Sequence, residues 1–277
     1  MARMPKQLNT AGRLRQVSSR QNALIKELRQ AFSQAALTPD GHCAIEGVRV
    51  IEEAIRSGLR FKALFFSGHA EERAQRLLPQ VSSHTEALLV PDEVFRSAVS
   101  TEAPQGVAAL VKVKQFTVED CLVTSAEPLV LIAAGIQDPG NLGTIVRSAE
   151  AFGATGMLLA EGTVSAWNAK AVRAAAGSMF RLPLAKAGFS AIAQALRERG
   201  IQVLGTSSHK GTAVDQVDLR RAVALLIGNE GAGLGRHAAA QIQEFIAIPH
   251  SPRVESLNAA VAASVLMYEA ARQRAHA

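Results

Sequence analysis

One feature constrains the fold more than any other. Residues 129–134 form an uninterrupted apolar run, which leads through a Gly/Pro-rich stretch, 135–143, into a helical pattern ending near Phe152. A strand with no polar position has no face to show to water, so it belongs in a parallel sheet covered by helices on both sides. Further strands are expected at 156–160, 201–205 and 223–227, with helices at 169–176, 190–199 and 257–273. The alternation predicts an α/β domain over 128–277 with a mostly parallel sheet. Upstream, strand patterns at 43–45, 61–66, 86–90 and 107–113 alternate with helical patterns at 18–32, 48–57, 70–77 and 92–98, with Ser18 or Ser19 placed to cap the first. These predict a smaller α/β domain over 16–114, a basic flexible leader at 1–15 and a linker at 115–127. At roughly 100–200 residues per domain, 277 residues suit two domains.

Composition removes several classes. With 48% apolar and 19% charged residues, the chain is neither disordered nor fibrous. Its longest apolar runs fall far short of the roughly 20 residues that cross a bilayer. Cys43 and Cys121 lie far apart without a CxxC pair, which argues against a disulfide framework or zinc ribbon, and no His/Cys cluster has metal-ligand spacing, so no metal is expected. The basic N-terminus lacks the apolar stretch of an export signal. A cytoplasmic protein with no membrane partner is expected.

The formal charge is +6, and the first thirty residues alone hold seven cations (Arg3, Lys6, Arg13, Arg15, Arg20, Lys26, Arg29) against one anion, Glu27. Such an arm attracts polyanions, nucleic acid being the usual partner. A solvated tail that only aids solubility is the alternative. Aromatic residues make up 4%, too few to favour base stacking on a sheet, so phosphate and ribose contacts fit better.

Three loops of the second domain follow strands and precede helices, where open α/β sheets bind ligands. In the first, 137–147, Pro139 and Gly140 make a turn, Asn141 is placed to cap a helix and Arg147 follows near the second turn. A capped loop with a surface arginine would look the same. In the second, 228–235, the glycines permit close backbone approach, and Glu230 is unusual in a bland turn. The loop is neither a P-loop nor GxGxxG, so the standard phosphate cradles do not apply and a dinucleotide-dependent dehydrogenase is disfavoured. In the third, 248–258, Ser256 or Asn258 is placed to cap the last helix.

Together NxGxxxR (Asn141, Gly143, Arg147), GNEGxGL (residues 228–234) and IPxxxxxxSLN (residues 248–258) resemble the three signature motifs of the SpoU/TrmH family of RNA ribose 2′-O-methyltransferases, in the trefoil-knotted SPOUT class. Residues 18–26, 45–47 and 104–107 resemble that family's ribosomal-protein-like α/β substrate-binding module. The resemblance implies a knotted C-terminal domain, S-adenosylmethionine (AdoMet) as methyl donor, RNA as partner and a homodimer through the catalytic domains, for which the Ala-rich last helix permits close packing. It assigns cofactor contacts to Gly228, Ile248 and Leu257, and catalytic roles to Arg147, Asn141, Glu230, Ser256 and Asn258. Arg147 would orient the 2′-hydroxyl and clamp a phosphate. A guanidinium, which as a group gives up its proton only in strong alkali, is a poor base, so the phosphate is an alternative proton acceptor. RNA contacts are implied for Lys170 and Arg173, with Arg181 nearby, and for Arg20 and Lys26 in the first domain. Ribosomal RNA is the expected substrate; tRNA and a catalytically silent RNA-binding module are the alternatives. Pro252 stands where the family usually has Gly, and His250 where a Met-like residue is frequent. Histidine is a common general base, but His250 is read as a surface residue of the loop rather than a base.

Overall fold

The computed structural model describes residues 10–123, 127–208, 210–228 and 242–275. It divides into two compact units, one running to Lys114 and including Trp167–Val172, the other comprising Gln115–Ala166 and the chain from Arg173 onward.

In the first unit, β1 (Leu14–Gln16), β2 (His42–Glu46), β3 (Arg60–Ser67), β4 (Glu86–Val90) and β5 (Val107–Lys112) form one sheet in the order β1-β4-β3-β5-β2. β1, β4 and β3 run parallel, while β5 is antiparallel to β3 and β2. Helices α1 (Ala23–Gln34), α2 (Val48–Arg56), α3 (Glu71–Leu77) and α4 (Asp92–Arg96) cover it. Ile25, Leu28 and Phe32 of α1 and Val94 and Phe95 of α4 pack with Phe65, Leu88 and Leu110 of the sheet.

Two expectations here need correction. Part of the supposed flexible leader is an edge strand: Leu14 pairs with Ala87, and Arg13 donates to the Leu78 and Ser82 carbonyls at 2.6 and 2.7 Å. Three residues are too few to display alternation, so β1 left no pattern. Helix α1 starts later than expected, capped by Asn22, whose Oδ1 accepts from Leu24 N at 3.0 Å and Ile25 N at 3.4 Å. Ser19 supports the preceding turn instead, accepting from Gln21 N at 3.1 Å.

In the second unit, β6 (Leu129–Ala133), β7 (Gly156–Leu159), β8 (Leu184–Lys186), β9 (Gln202–Thr206), β10 (Thr212–Ala213), β11 (Val223–Ile227) and β12 (Glu244–Ala247) form a sheet ordered β10-β12-β9-β11-β6-β7-β8. Every described pairing in it is parallel. The central β6 and β11 are buried along their whole length, as their unbroken apolar runs require. β8, β10 and β12 escaped the sequence reading because each is four residues or fewer and partly exposed.

The helices of this part of the chain are α5 (Val118–Leu122), α6 (Pro139–Ala151), α7 (Ala169–Ala174), α8 (Phe189–Glu198) and α9 (Ala259–Arg274). α5 corrects the expected linker at 115–127. Thr117 and Asp120 form a capping box, and Cys121 and Leu122 join the core with Ile192 and Leu196 of α8 and Val130 and Ile132 of β6. Among the described residues no helix is long and apolar enough to cross a membrane.

Candidate functional site

Because the second sheet is parallel, its strands all end on the same edge. Ala133 of β6 pairs with Ile227 of β11, Leu226 of β11 with Gly205 of β9, and Gly205 with Phe245 of β12. The loops starting at residues 134, 228 and 248 therefore leave from neighbouring strand ends. The first is braced from beneath: Gly135 N donates to Thr163 Oγ1 at 3.1 Å, and that hydroxyl donates to Ala133 O at 2.9 Å.

Within the first loop the helix cap is Asp138, not Asn141 as expected. Asp138 Oδ1 accepts from Asn141 N at 2.8 Å, and Pro139 takes the first helical position. The Asp-Pro pair was a readable start signal. Released from capping, the Asn141 side chain meets the third loop: Asn258 Nδ2 donates to Asn141 Oδ1 at 3.1 Å. Asn258 also caps α9, its Oδ1 accepting from Ala260 N at 3.0 Å and Val261 N at 3.2 Å. Ser256, the other candidate cap, is exposed.

The contact continues down both helices. Ser148 and Ser264 share a hydrogen bond at 2.7 Å, and the rings of Phe152 and Tyr268 meet edge-on with centroids 5.9 Å apart. Sequence number rises together along α6 and α9 through these three pairs, so the helices lie side by side in the same direction. Both N-termini, with their positive dipole ends, face the same end of the sheet. The serine and aromatic pairs were invisible in the sequence, being separated by more than a hundred residues.

Arg147 is exposed on α6 and has no hydrogen-bond or ion-pair partner among the described residues. It lies about 9 Å of helix rise beyond Asn141 and about 120° round the helix from it, on the side away from the contact with the last helix. Gly228, Ile248 and Leu257 are half-buried. Glu230 and the rest of the GNEGxGL loop fall within 229–241, outside the described residues. His250 points inward on its own loop, its Nδ1–H donating to Ile248 O at 2.7 Å.

The expected RNA-contacting cations divide into three groups. Lys170 and Arg173 are both exposed on α7, three residues apart and so on one face. Arg181 is committed to the protein: Nε and Nη2 grip both carboxylate oxygens of Glu150, at 2.6 and 2.8 Å. That contact, with a smaller one from Ser178, holds the Glu150 carboxyl below its usual range. In the first unit Arg20 pairs with Glu93, whereas Lys26 is exposed without a partner among the described residues.

In sequence and fold the chain is similar to known proteins. The SpoU rRNA Methylase family model matches residues 128–268, and the MRM3-like substrate binding domain model matches residues 22–109. The 23S rRNA (guanosine(2553)-2′-O)-methyltransferase RlmP of Bacillus subtilis is 29% identical over 255 residues, covering 92% of this chain and 98% of its own. A Synechocystis protein described as an uncharacterized tRNA/rRNA methyltransferase is 34% identical over 266 residues, covering 93% and 94%. Among solved structures, AviRb from Streptomyces viridochromogenes in complex with AdoMet superposes with a TM-score of 0.78 at 30% identity, over 92% of this chain and 99% of that one. An AdoMet-bound rRNA methyltransferase from Sinorhizobium meliloti gives 0.79 at 28% identity, over 94% and 98%.

Proposed function

The chain belongs to the SpoU rRNA methylase family, and from that premise we propose that it transfers the methyl group of AdoMet to a ribose 2′-hydroxyl of RNA, ribosomal RNA first among its substrates. The observation that carries the site is the Asn258–Asn141 hydrogen bond, which joins the first and third motifs at the carboxyl edge of the parallel sheet.

The residues on that edge fit an adenosine-bearing cofactor. Gly228 and the residues following β12 stand two strands apart, roughly 10 Å at about 4.8 Å per strand, enough for a nucleoside between them. Ile248 and Leu257 supply apolar, half-buried walls, and Gly228 leaves its main chain open to approach. These three residues hold AdoMet. Bound there, it would supply an electrophilic methyl on a sulfonium for transfer to the 2′-oxygen.

The protein's own work is positioning. Arg147, exposed and without a partner among the described residues, clamps an RNA phosphate and orients the 2′-hydroxyl. The proton leaves the 2′-oxygen for that phosphate or solvent, because the guanidinium stays charged. Asn258 braces the two loops through its bond to Asn141, Asn141 and Ser256 orient the RNA and Arg147, and Glu230 holds Arg147 or a main-chain donor. Lys170, Arg173 and Lys26 contact phosphates, with Arg20 released from Glu93 when RNA arrives. The chain threads the second loop into a trefoil knot. A homodimer forms on α9, whose outward side carries a stripe of exposed Val261, Val265 and Tyr268 while Ala260, Ala263 and Met267 are buried beneath. The enzyme acts in the cytoplasm, where ribosomal RNA is made accessible.

The test is methyl transfer from labelled AdoMet to ribosomal RNA, followed by alkaline hydrolysis. A methylated 2′-oxygen cannot attack the adjacent phosphate, so label in alkali-stable dinucleotides is the expected result. Label in free bases, or none above background, overturns the proposal. Label confined to tRNA moves the substrate.

A further inference from the structure

At the carboxyl ends of the parallel strands β3 and β4 lies a cavity of about 350 Å3, lined by Ser67, His69, Asp92, Phe95, Arg96 and Pro104 among others. That volume falls within the range of small-ligand pockets, about 300–1,000 Å3. Its polar wall is a chain of three side chains. His69 Nδ1 bonds Asp92 Oδ2 at 2.9 Å, and Ser67 Oγ lies 3.4 Å from both ring nitrogens of His69. The order Ser-His-Asp suggests a hydrolase, but the geometry rejects it. A hydroxyl equidistant from both nitrogens sits off the Nε2 lone-pair axis, and Ser67 is only 1% exposed.

What remains is a recognition surface. Asp92 gives one oxygen to His69, while its other oxygen, Oδ1, is buried beside the Gly68 main chain and makes no hydrogen bond of good geometry. Four residues on, Arg96 is exposed, makes no hydrogen bond or ion pair among the described residues, and attracts the Asp92 carboxylate from a distance. The rim is rigid. Arg73 donates to Gln105 O, Gln105 Oε1 accepts from Val48 N at 3.2 Å, and Ser67 N donates to Gly106 O at 2.9 Å. Gly106 is at φ +78°, and a Cβ there would come within 2.3 Å of Ser67 Oγ.

We infer that this cavity receives one unstacked guanine base of the substrate RNA, with Asp92 reading its Watson–Crick edge and Arg96 its Hoogsteen edge. The inference deepens the methyltransferase reading and rests on its RNA substrate. Guanine alone presents two adjacent N–H donors, at N1 and N2, that suit a carboxylate, and two acceptors, O6 and N7, that suit an arginine. Adenine and cytosine each set a ring acceptor beside their amino group, and uracil flanks its one N–H with two carbonyls, so the carboxylate disfavours all three. A bare phosphate is disfavoured because Asp92 and Glu102 both line the cavity. Apolar wall from Phe95 and Pro104 and a base turned out of its stack match the way proteins read single-stranded RNA loops.

The experiment incubates the full-length protein with hairpin RNAs carrying a randomised loop and sequences the bound fraction. The wild type is expected to enrich guanosine at one loop position. Asp92→Asn, which turns an acceptor into a donor, lowers that preference by about tenfold, and the exposed Arg96→Gln lowers it by about fivefold without affecting the fold. Inosine, which lacks the N2 amino group, at the selected position reproduces the Asp92→Asn loss, and the two losses do not add. No guanosine enrichment by the wild type overturns the inference. So does an unchanged preference in both folded variants, or a uniform weakening across all loops, which marks a phosphate contact. Methyl transfer to ribosomal RNA by the same preparations separates the two readings. Wild type that methylates without guanosine enrichment sinks only the pocket; enrichment without methyl transfer sinks only the methyltransferase.

Discussion

In the first unit Arg13, Arg15, Arg20 and Arg29 all bond to the protein itself, through carbonyls, Glu86, Glu93 and Ser97, whereas Arg147 in the second unit stands exposed without a partner among the described residues. A count of basic residues treats these groups alike. The structure separates cations that tie an edge strand and a helix to their neighbours from a cation with no hydrogen-bond or ion-pair partner among the described residues. The sheets differ in the same sense. The parallel sheet delivers its loops to one edge by symmetry of direction, so its site is built from strand ends and helix starts. The mixed sheet builds its cavity from side chains of β3, α4 and the loop before β5, each fixed by its neighbours.

If Arg147 is reserved for substrate, its loss harms chemistry and leaves the fold alone. Arg147→Ala is expected to lower methyl transfer by about 10²–10³ with AdoMet affinity and melting temperature unchanged, measured by labelled transfer, calorimetric titration and thermal melting. A loss of fold stability in that variant would erase the contrast. In the first unit the order reverses. Gly106→Ala forces a side chain into positive φ against Ser67 and is expected to cost about 1–3 kcal/mol in denaturant unfolding. An unperturbed midpoint would mean the rim is soft.

Asn258→Ala should fall between these behaviours, because one side chain both caps α9 and holds Asn141. About 1 kcal/mol of stability is expected to go with the cap, together with activity. A double-mutant cycle with Asn141→Ala then reports non-additivity in activity, where two independent sites would add. The smallest effect belongs to the Arg181–Glu150 pair. The guanidinium depresses the Glu150 pKa in the folded state, so its contribution is present above the unfolded value near about 4.3 and is lost as pH falls below it. Glu150→Gln should therefore melt lower than wild type at neutral pH, with the gap closing in acid. A gap that widens in acid would reverse the assignment.

Much of the second unit was legible because its information is local. The unbroken apolar runs of β6 and β11 declared a buried parallel sheet, and each motif loop carried its own polar residues in a few consecutive positions. Errors came where local readings compete. Asp138 and Asn141 both suit a cap, and only the partner waiting at Asn258 decides which of them is free. The same holds for Ser256 and Asn258. Arg181 read as one more basic residue until Glu150, thirty-one positions away in sequence, closed on it.

The order of residues by itself determined that two α/β units form, that the second is built on parallel strands, and which family the chain belongs to, because apolar period and motif spacing are properties of neighbours along the chain. Tertiary structure alone decided that Asn141 faces Asn258, that α6 and α9 run side by side, and that Ser67, His69, Asp92 and Arg96 surround one cavity. Those are meetings of residues far apart in sequence, and a hydrogen bond or a cavity wall depends on distance in space, which no window along the chain contains.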